Sequence, residues 1–369
     1  MEGQKGENRM KKIVTVVGAR PQFIKLAVVS RVLRKEFQEV LVHTGQHYDH
    51  NMSDVFFEEM DIPKPDYNLG ISGGSHGEMT GRMLIEIEKV LDKEQPDMLL
   101  LFGDTNSTMA AALAAVKLHI PICHVEAGNR FGTLESPEEV NRTVTDHVST
   151  INLPCTESSL RFLEREGLGR TATVVGDPMY DAFCYYTQRL DGSELKELVD
   201  FQGRSISVPE KFYYMTCHRQ ENTDTDEKLK NIFDAVEALE APTIYPVHPR
   251  NHARAEQLWQ KYEYRKLILA QPVGYKTSIS LVNKSEKIVT DSGGVQREAF
   301  FAQKPCVTVL DFVVWPETMK DNCNQLAKPD KADILAKLSV PVTFNSDYQP
   351  FGAGHSAEKI VEKIKEYLQ

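Results

Sequence analysis

Short apolar runs alternate with helical stretches along almost the whole chain. Runs rich in β-branched residues occupy residues 13–17, 40–43, 98–102 and 120–125 in the first half, and 212–216, 243–247, 287–290 and 306–310 in the second. Helical patterns lie between them, such as the Ala-rich stretch 107–118. Strands that are apolar on both faces and alternate with helices are typical of parallel sheets covered on both sides. The sequence therefore predicts an α/β protein with parallel sheets.

The same rhythm occurs twice, and the chain is long enough for two domains. A length of 369 residues exceeds what one hydrophobic core usually organises. The rhythm is interrupted at residues 176–205, where a Gly-Asp-Pro turn and a polar segment intervene. We therefore predict an N-terminal Rossmann-like domain at 10–180, a C-terminal Rossmann-like domain at 181–352 and a C-terminal helix at 353–369. Two such domains facing each other would bring the carboxyl ends of both sheets, where ligands bind, to one cleft.

The charge balance limits the partners that the chain can have. It contains 43 Lys and Arg against 53 Asp and Glu, a formal net charge of −10. Because general binding to nucleic acid or to an anionic membrane requires a basic face, we expect neither. No apolar stretch approaches bilayer length, and the polar residues 1–9 resemble a tag rather than a secretion signal. The six cysteines form no Cys-x-x-Cys pair, which favours reduced thiols and a cytoplasmic location.

Ser292, Gly293 and Gly294 form a turn between an apolar run and a helical pattern. Small residues at such a turn let backbone N–H groups approach an anion at the helix N-terminus. Glu298, in the same helix, is placed to accept hydrogen bonds from ribose hydroxyls. A plain glycine-containing turn is the alternative. The chain has neither a Gly-x-Gly-x-x-Gly fingerprint nor a P-loop motif. A diphosphate bound here would therefore point to a nucleotide-sugar rather than to a nicotinamide cofactor.

Arg20 is the matching phosphate candidate in the first half of the chain, since it directly follows the first strand and its turn. A guanidinium at that sheet edge can hold a phosphate with two hydrogen bonds. A solvated surface arginine is the alternative reading. Lys25, five residues further along the predicted first helix, is a weaker candidate.

Carboxylates lie at the ends of two apolar runs and in a loop further along the chain. Asp104 and Glu126 each come at the end of a predicted strand, and Glu138 lies in a short loop with Arg142 just after it. Side chains at the ends of adjacent parallel strands converge, and converging carboxylates supply an acid and a base for proton transfer at carbon. A helix N-cap would explain Asp104 alone, and a salt bridge would explain Glu138 alone. The three together favour catalysis.

Histidines provide one further catalytic candidate and two groups that resemble metal sites. His218 follows a predicted strand, where it could orient a substrate or shuttle a proton; a structural role in its loop is the alternative. The two groups are His43, His47 and His50, and the pair His248 and His252. The pair lacks the Glu of His-Glu-x-x-His and has Pro at its second position, so we expect no metal.

Taken together, these segments resemble the non-hydrolysing UDP-N-acetylglucosamine 2-epimerase family. The matching stretches follow in order through both predicted domains: residues 18–21 with Lys25, 44–47, 103–105, 124–128, 137–142, 218–219, 246–249 and 291–298. The resemblance implies a GT-B-like fold of two Rossmann-like domains. It also implies elimination of UDP to an enzyme-bound 2-acetamidoglucal, followed by re-addition of UDP with inversion at C2. Because an unactivated C2–H is a very weak acid, expulsion of UDP from C1 supplies the driving force.

The resemblance also implies roles for individual residues. The catalytic residues are Asp104, Glu126, Glu138 and His218. The residues that bind UDP or the substrate are Arg20, Lys25, Arg142, Ser292, Gly293, Gly294 and Glu298. A second, activating UDP-sugar site, known in some members, would involve Gln46, Arg82, Arg219 and His248. Members are typically cytoplasmic homodimers that feed cell-surface polysaccharide synthesis and need neither a metal nor a nicotinamide.

Three departures from the family pattern concern the sugar. Glu126 and Glu138 are twelve residues apart, two fewer than in the simplest members, and residues 311–317 differ from the usual Arg- and Thr-rich loop. Residues 128–130 and 176–179 resemble the branch that acts on UDP-2,3-diacetamido-2,3-dideoxy-glucuronate. We predict conversion of UDP-N-acetylglucosamine to UDP-N-acetylmannosamine, with C2 epimerisation of the UDP-diacetamido-uronate as the near alternative. A hydrolysing relative, a GT-B glycosyltransferase and a non-catalytic UDP-sugar binder are the more distant alternatives.

Overall fold

The computed structural model describes residues 9–46 and 56–369 of the chain. The tag-like stretch up to residue 8 therefore lies outside the described residues, as do His47 and His50. The chain divides into two compact units. The first comprises the residues up to Ala182 together with Pro350–Gln369, and the second comprises Phe183–Gln349. Neither described range contains a helix with the length and apolar character needed to span a bilayer.

The described strands of the first unit form one parallel sheet of six strands. They are β1 (Lys12–Val17), β2 (Gln38–His43), β3 (Tyr67–Asn68), β4 (Met98–Phe102), β5 (Ile122–Val125) and β6 (Ile151–Leu153). Their spatial order is β3-β2-β1-β4-β5-β6, so the chain changes direction across the sheet between β1 and β4. In open α/β sheets, ligands bind at the carboxyl ends of the strands on either side of such a switch.

Helices join these strands. They are α1 (Arg20–Leu33), α2 (His76–Glu94), α3 (Asn106–Lys117), α4 (Pro137–Val148), α5 (Glu157–Arg165) and α6 (Pro178–Thr187), with a 3₁₀ turn at Gly169–Thr171. The unit boundary falls within α6. All five residues of β4 are fully buried, which explains why this run is apolar without alternation. The buried alanines of α3 let this helix pack closely against α2 and α4.

The second unit repeats this design. Its strands are β7 (Tyr213–Thr216), β8 (Thr243–Pro246), β9 (Leu267–Ala270), β10 (Ile288–Thr290), β11 (Cys306–Val309) and β12 (Asn324–Ala327). They form a second parallel six-stranded sheet among the described residues, in the order β12-β11-β10-β7-β8-β9. The switch between the two halves of this sheet lies between β7 and β10, as it lies between β1 and β4 in the first unit.

The helices of the second unit follow the same alternation. They are α7 (Gln220–Thr223), α8 (Asp226–Glu237), α9 (His252–Tyr262), α10 (Tyr275–Lys284), α11 (Gly293–Phe301) and α12 (Lys331–Leu338), with 3₁₀ turns at Glu194–Glu197, Pro249–Asn251 and Pro316–Asn322. The core between β7–β11 and helices α8, α9 and α12 is apolar and contains Phe233, Tyr245 and Leu258.

The C-terminal helix α13 (Ser356–Leu368) belongs to the first unit and packs against α1. Its buried face carries Ile360, Val361 and Ile364. Asp181, in α6, accepts a hydrogen bond from the Ala357 backbone N–H at 2.8 Å and so caps the start of α13. Because this carboxylate is buried, the pKa of Asp181 is raised, even though the hydrogen bond from Ala357 acts to lower it.

The predicted class, two Rossmann-like parallel-sheet domains with helices on both faces, is confirmed. The sequence pattern finds eight of the strands but misses β3, β6, β9 and β12. All four of these lie at sheet edges or contain at most four residues, so they carry little of the two-sided apolar pattern.

Candidate active site

The turn after β1 brings three strand ends together. A Cβ atom on Gly18 would lie 2.2 Å from the hydroxyl oxygens of Thr44 and Ser107, so only glycine fits there. These two hydroxyls are hydrogen-bonded to each other at 2.7 Å. Gln22 is buried, accepts from the Gly18 backbone N–H at 2.8 Å and donates to the Phe102 carbonyl at 2.7 Å. The ends of β1, β2 and β4 are therefore fixed against one another at the start of α1.

Helix α1 carries two of the predicted cationic residues. Arg20 is its first residue, and the guanidinium carbon lies 4.4 Å from the ring centre of Phe56. Lys25 is only 2% exposed, and its ammonium group contacts the carboxylate of Glu126. A Cβ atom on Gly103 would lie 3.3 Å from Nζ of Lys25. Helix α1 thus delivers Lys25 to the ends of β4 and β5, beside one of the predicted catalytic acids.

Glu126 occupies a backbone conformation that side chains rarely adopt. Its φ angle is +68°, and its N–H group donates to the Leu153 carbonyl at 3.0 Å. A non-glycine residue in this region costs of the order of 1 kcal/mol, and such positions cluster at functional sites. The turn after β5 therefore presents the Glu126 carboxylate at the edge of the sheet at some energetic cost.

Glu126 also belongs to the group of residues in the described chain that could reach a common metal ion. Its carboxylate, the Cys155 thiol and the Asp177 carboxylate all lie within 4.8 Å of one another. The ammonium group of Lys25 already contacts Glu126 and places a positive charge there. We therefore treat Cys155 and Asp177 as part of the surroundings of Glu126 and assign no metal to them.

The second predicted acid, Asp104, lies in an ion network. The Arg142 guanidinium contacts the Asp104 carboxylate and also donates to Glu139 at 2.7 Å. It lies over the ring of Phe131, 4.0 Å from the ring centre. Burial alone would lower the pKa of Arg142, but the carboxylates of Asp104 and Glu139 raise it. Arg142 therefore stays charged and holds Asp104 in a fixed position.

The structure separates the neighbours Glu138 and Glu139. Glu138 is exposed on the first turn of α4, where it accepts a hydrogen bond from Ser136 Oγ at 2.6 Å. Glu139 is buried and accepts from the backbone N–H groups of Phe131 and Gly132 as well as from Arg142. The glutamate in the ion network of Asp104 is thus the one that the sequence pattern did not select.

A buried His–Asp pair supports the Glu126 turn from behind. His124 is fully buried, with Nδ1 at 2.7 Å from Asp146 and Nε2 at 2.7 Å from the Gly103 carbonyl oxygen. Asp146 also accepts from the Gly128 N–H at 3.1 Å and pairs with Arg130 at 2.7 Å. Burial alone would raise the pKa of Asp146, but its bonds to His124 and Arg130 hold it below the usual value. This network ties both ends of the Glu126 turn to α4.

Two residues predicted for an activating site lie in the first unit. The Gln46 side-chain oxygen accepts from the backbone N–H of Ser107 at 3.0 Å and from its hydroxyl at 2.7 Å. Arg82, exposed on α2, donates to the carbonyls of Ser72 and Gly73 at 3.2 and 3.0 Å. Both side chains therefore help to fix loops at the carboxyl end of this sheet.

In the second unit the corresponding strand ends hold His218 and Asp291. Asp291 directly follows β10 and is fully buried, and its Oδ1 lies 3.0 Å from Nδ1 of His218. Burial alone would raise the pKa of Asp291, but the imidazole of His218 and the backbone N–H groups of His218 and Arg219 lower it to about 2. Asp291 is therefore a carboxylate at every ordinary pH.

The predicted UDP-binding turn follows Asp291 directly. Ser292 caps α11, accepting from the Val295 N–H at 3.4 Å, and Gly293 is the first residue of the helix. A Cβ atom on Gly293 would lie 3.1 Å from Val314 Cγ1, so a side chain here would crowd the following loop. Glu298 is buried further along α11. The geometry matches a helix N-terminus that receives an anion.

The two remaining predicted residues of the second unit, Arg219 and His248, lie near His218, as does Arg250, which was not predicted. Arg219 Nε donates to the Asp291 carbonyl at 2.9 Å, and its guanidinium lies 5.5 Å from the ring centre of Phe312. The imidazole of His248 is stacked near that of His218, with 5.9 Å between ring centres. Arg250 donates to the His218 carbonyl at 2.6 Å.

Several predicted residues meet at the strand ends of their own unit: Lys25 with Glu126 and Arg142 with Asp104 in the first, and His218 and Arg219 around Asp291 in the second. Sequence reasoning missed several residues that hold them there: Gln22, Glu139, Asp146 and Asp291. Of these, Asp291 carried a usable signal, since it stands between a strand and the glycine turn. The others are recognisable only from their contacts.

Comparison with known proteins finds relatives that match almost the whole chain. The family model described as UDP-N-acetylglucosamine 2-epimerase matches residues 31–365. A protein of Methanococcus maripaludis described as a UDP-N-acetylglucosamine 2-epimerase homolog is 46% identical over 360 residues, covering 96% of this chain and 99% of the relative. The UDP-2,3-diacetamido-2,3-dideoxy-D-glucuronate 2-epimerase of Pseudomonas aeruginosa is 44% identical over 363 residues, with coverage of 96% and 99%.

A solved structure gives the same result for the fold. The UDP-GlcNAc 2-epimerase of Methanocaldococcus jannaschii, crystallised with UDP-GlcNAc and UDP, matches with a TM-score of 0.86 and 38% identity, covering 96% of this chain and 99% of that one. The GT-B-like fold implied by the sequence resemblance is therefore confirmed. Since the family model spans most of the chain and the relatives match almost end to end, the chain belongs to the UDP-N-acetylglucosamine 2-epimerase family.

Proposed function

We propose that the protein is an isomerase that inverts C2 of a UDP-linked 2-acetamido sugar by eliminating and re-adding UDP. The observation that carries this proposal is the pairing of acids with buried cations in a member of this family. Glu126 pairs with Lys25, and Asp104 pairs with Arg142, at the ends of neighbouring strands β5 and β4. Such acids are placed to accept and return a proton while their counter-charges stay fixed.

The chemistry requires both a base and a leaving group. A base removes the C2 proton as the C1–O bond breaks, and the electron pair of that bond leaves with the diphosphate of UDP. The resulting C1–C2 double bond is then protonated at C2 on the opposite face while UDP adds back to C1. Asp104, Glu126 and Glu138 are the candidates for these proton transfers. Lys25 supplies the counter-charge of Glu126, and Arg142 positions Asp104.

The groups that bind UDP are proposed from their chemistry. The start of α11, with Ser292, Gly293 and Gly294, offers backbone N–H groups to the diphosphate. The buried carboxylate of Glu298 suits the ribose hydroxyls. Arg20, at the start of α1, is a candidate for a phosphate contact. His218 is the candidate for orienting the leaving diphosphate or exchanging a proton with it.

We propose UDP-N-acetylglucosamine as the first substrate to test and the UDP-diacetamido-uronate as the second. The 44% identity to the Pseudomonas enzyme supports the second substrate, as do the segments at residues 128–130 and 176–179. A uronate would require a cation for its carboxylate. Arg130, the cation within the first of these segments, already pairs with Asp146 and Glu166 at 2.7 Å each. We therefore place UDP-N-acetylglucosamine first.

Incubation with each UDP-sugar in heavy water, followed by proton NMR at C1 and C2, tests the proposal. We expect deuterium at C2 and a growing UDP-N-acetylmannosamine signal, or the corresponding uronate epimer. Free N-acetylmannosamine with UDP would instead show a hydrolysing enzyme. Binding of UDP in calorimetry without exchange at C2 from either sugar would show a binding protein, and transfer only in the presence of an acceptor would show a glycosyltransferase.

We also propose that the protein works in the cytoplasm as a homodimer that supplies precursors of cell-surface polysaccharides. All six cysteines lie in the described part of the chain, and no disulfide joins any of them, which supports a reducing compartment. Light scattering of the purified protein tests the dimer: a mass near 41.7 kDa, that of one chain, would contradict it.

A further inference from the structure

The carboxylate of Asp291 has two oxygens with different partners. Oδ2 accepts from three amide donors: the backbone N–H groups of Arg219 and His218 at 2.8 and 2.9 Å, and Asn222 Nδ2 at 3.3 Å. The Cys217 side chain also contacts the Asp291 carboxylate. Oδ1 faces Nδ1 of the His218 ring at 3.0 Å and the His218 backbone N–H at 3.1 Å. The side chain is fully buried, so these contacts determine its orientation.

The charge of Asp291 decides which ring nitrogen of His218 carries a proton. An ionised carboxylate has no hydrogen to donate, so it can only accept from the imidazole. Nδ1 must therefore carry the hydrogen of this contact, and in the neutral ring Nε2 is then the nitrogen without a proton. The ring nitrogen that a histidine leaves available is generally set by the hydrogen bond at the other nitrogen.

We propose that Asp291 is a positioning residue that holds His218 as the Nδ1–H tautomer, so that Nε2 is the nitrogen that gains and loses a proton in the UDP-sugar reaction. The proposal rests on the proposed function, since it assigns His218 a part in that reaction. Asp291 does not itself act on the sugar. Its role is to fix the orientation and tautomer of the imidazole.

The arginines near His218 do not offer an alternative acceptor for its Nδ1–H. Arg219 and Arg250 donate to the Asp291 and His218 carbonyls, at 2.9 and 2.6 Å, and an arginine side chain offers no acceptor for Nδ1–H. The His248 ring lies near the His218 ring, with ring centres 5.9 Å apart and planes inclined by 26°, and its Nδ1 accepts from the Arg250 backbone N–H at 3.3 Å.

Asp291→Asn tests the proposal because the replacement has one acceptor and one donor end. Amide donors converge on the position of Oδ2, so the new side-chain oxygen is expected there. Its NH₂ group then faces Nδ1 and donates to it, which moves the ring proton to Nε2. Long-range ¹⁵N–¹H spectra should show Nδ1–H in the unmodified protein and Nε2–H in the variant, with the His218 signals identified by their loss in His218→Asn.

Turnover should fall about 10²- to 10⁴-fold in Asp291→Asn, the range expected when a catalytic histidine is held in the wrong tautomer. UDP affinity in calorimetry should stay within about threefold, because the backbone of the Ser292–Gly294 turn is unchanged. In the His218→Asn background the same substitution should add little, since a residue that acts only through His218 has nothing left to position. Asp347→Asn, an exposed acid of the same unit, is the matched control.

The proposal is overturned if the unmodified protein shows His218 with its proton on Nε2, a measurement that needs no variant to fold. It is also overturned if Asp291→Asn keeps full turnover, or if its loss multiplies with that of His218→Asn. These outcomes differ from failure of the proposed function, in which the unmodified protein exchanges no deuterium into C2 of any UDP-sugar.

Discussion

The two units hold their functional acids in different ways. In the first unit, Glu126 and Asp104 each contact a side-chain cation, Lys25 and Arg142. In the second unit, Asp291 contacts backbone N–H groups and an imidazole. A side-chain ion pair balances charge inside the protein, whereas backbone donors fix geometry without adding a mobile charge.

The difference suggests a division of work. In the first unit, the acids proposed to transfer protons each have a cation that stabilises the carboxylate form. An acid that only orients a histidine needs rigidity, and the second unit supplies that. Substitutions in the first unit should therefore change both turnover and the free energy of unfolding. Substitution of Asp291 in the second unit should lower turnover while leaving UDP affinity nearly unchanged.

Among substitutions in the first unit, the largest effect is expected for Glu126→Gln. Loss of the proton-transferring group should lower C2 deuterium exchange about 10³-fold. The substitution also leaves the buried ammonium of Lys25 without its carboxylate, which should lower the free energy of unfolding by about 3 kcal/mol. Exchange is measured by NMR in heavy water, and stability by denaturant unfolding.

The double variant Lys25→Met with Glu126→Gln separates the two effects. It removes both charges, so most of the lost stability should return while exchange stays low. If the single variant keeps normal exchange, Glu126 transfers no proton. If the double variant is as unstable as the single one, charge balance is not what the pairing with Lys25 provides.

Much of the fold follows from the sequence because parallel strands buried on both faces carry a strong apolar signal. The helices predicted at residues 107–118 and 353–369 correspond to Asn106–Lys117 and Ser356–Leu368. The pattern missed four strands that are two to four residues long and lie at the edges of their sheets: β3, β6, β9 and β12. Short edge strands are set by the neighbour that they pair with, which no local pattern records.

The site residues show the same limit. Their positions after strands are visible in the sequence, because strand ends of a parallel sheet share one edge. The sequence does not show which of the adjacent residues Glu138 and Glu139 turns inward. Successive helical residues point about 100° apart, so the answer depends on how α4 packs. The sequence does not reveal the network of Asp146 either, because its partners His124 and Gly128 come from β5 and from the turn after β5.

The pair Glu138 and Glu139 gives the next test of the first unit. Glu139→Gln removes the charge that faces Arg142, so the free energy of unfolding should fall by about 2 kcal/mol. Glu138→Gln changes an exposed side chain and should alter stability by no more than about 0.5 kcal/mol. Glu138 is nevertheless a candidate for proton transfer to the sugar. Its replacement in Glu138→Gln should therefore lower deuterium exchange at C2 about 10²-fold.

Denaturant unfolding and C2 exchange, measured on both variants, decide between the two glutamates. Normal exchange in Glu138→Gln together with abolished exchange and unchanged stability in Glu139→Gln would reverse their roles. The buried glutamate would then be the proton-transferring group, and all three candidate acids of the first unit would be paired with side-chain cations.

The smallest effect compares Asp181 of the first unit with Asp291 of the second. Burial raises the pKa of Asp181, so the folded protein binds this proton more tightly than the unfolded chain does, and its contribution to stability falls as pH rises above about 4. Asp181→Asn keeps an acceptor for the Ala357 N–H and removes the buried charge. It should therefore raise the free energy of unfolding by up to about 1 kcal/mol at pH 7 and change it little at pH 4.

The pKa of Asp291 is lowered to about 2, so the sign is reversed for Asp291→Asn. The stability that ionised Asp291 contributes is fully present above about pH 4 and is lost as pH falls towards 2, so the variant should be destabilised at pH 7 and approach the unmodified protein in acid. Unfolding is measured at pH 7 and pH 4 for Asp181→Asn, and from pH 7 down towards pH 2 for Asp291→Asn. Removing the charge should stabilise the protein at Asp181, where burial disfavours the carboxylate, and destabilise it at Asp291, where hydrogen bonds favour the carboxylate. Equal destabilisation by the two variants at pH 7 would therefore mean that the units do not differ in how they hold a buried acid.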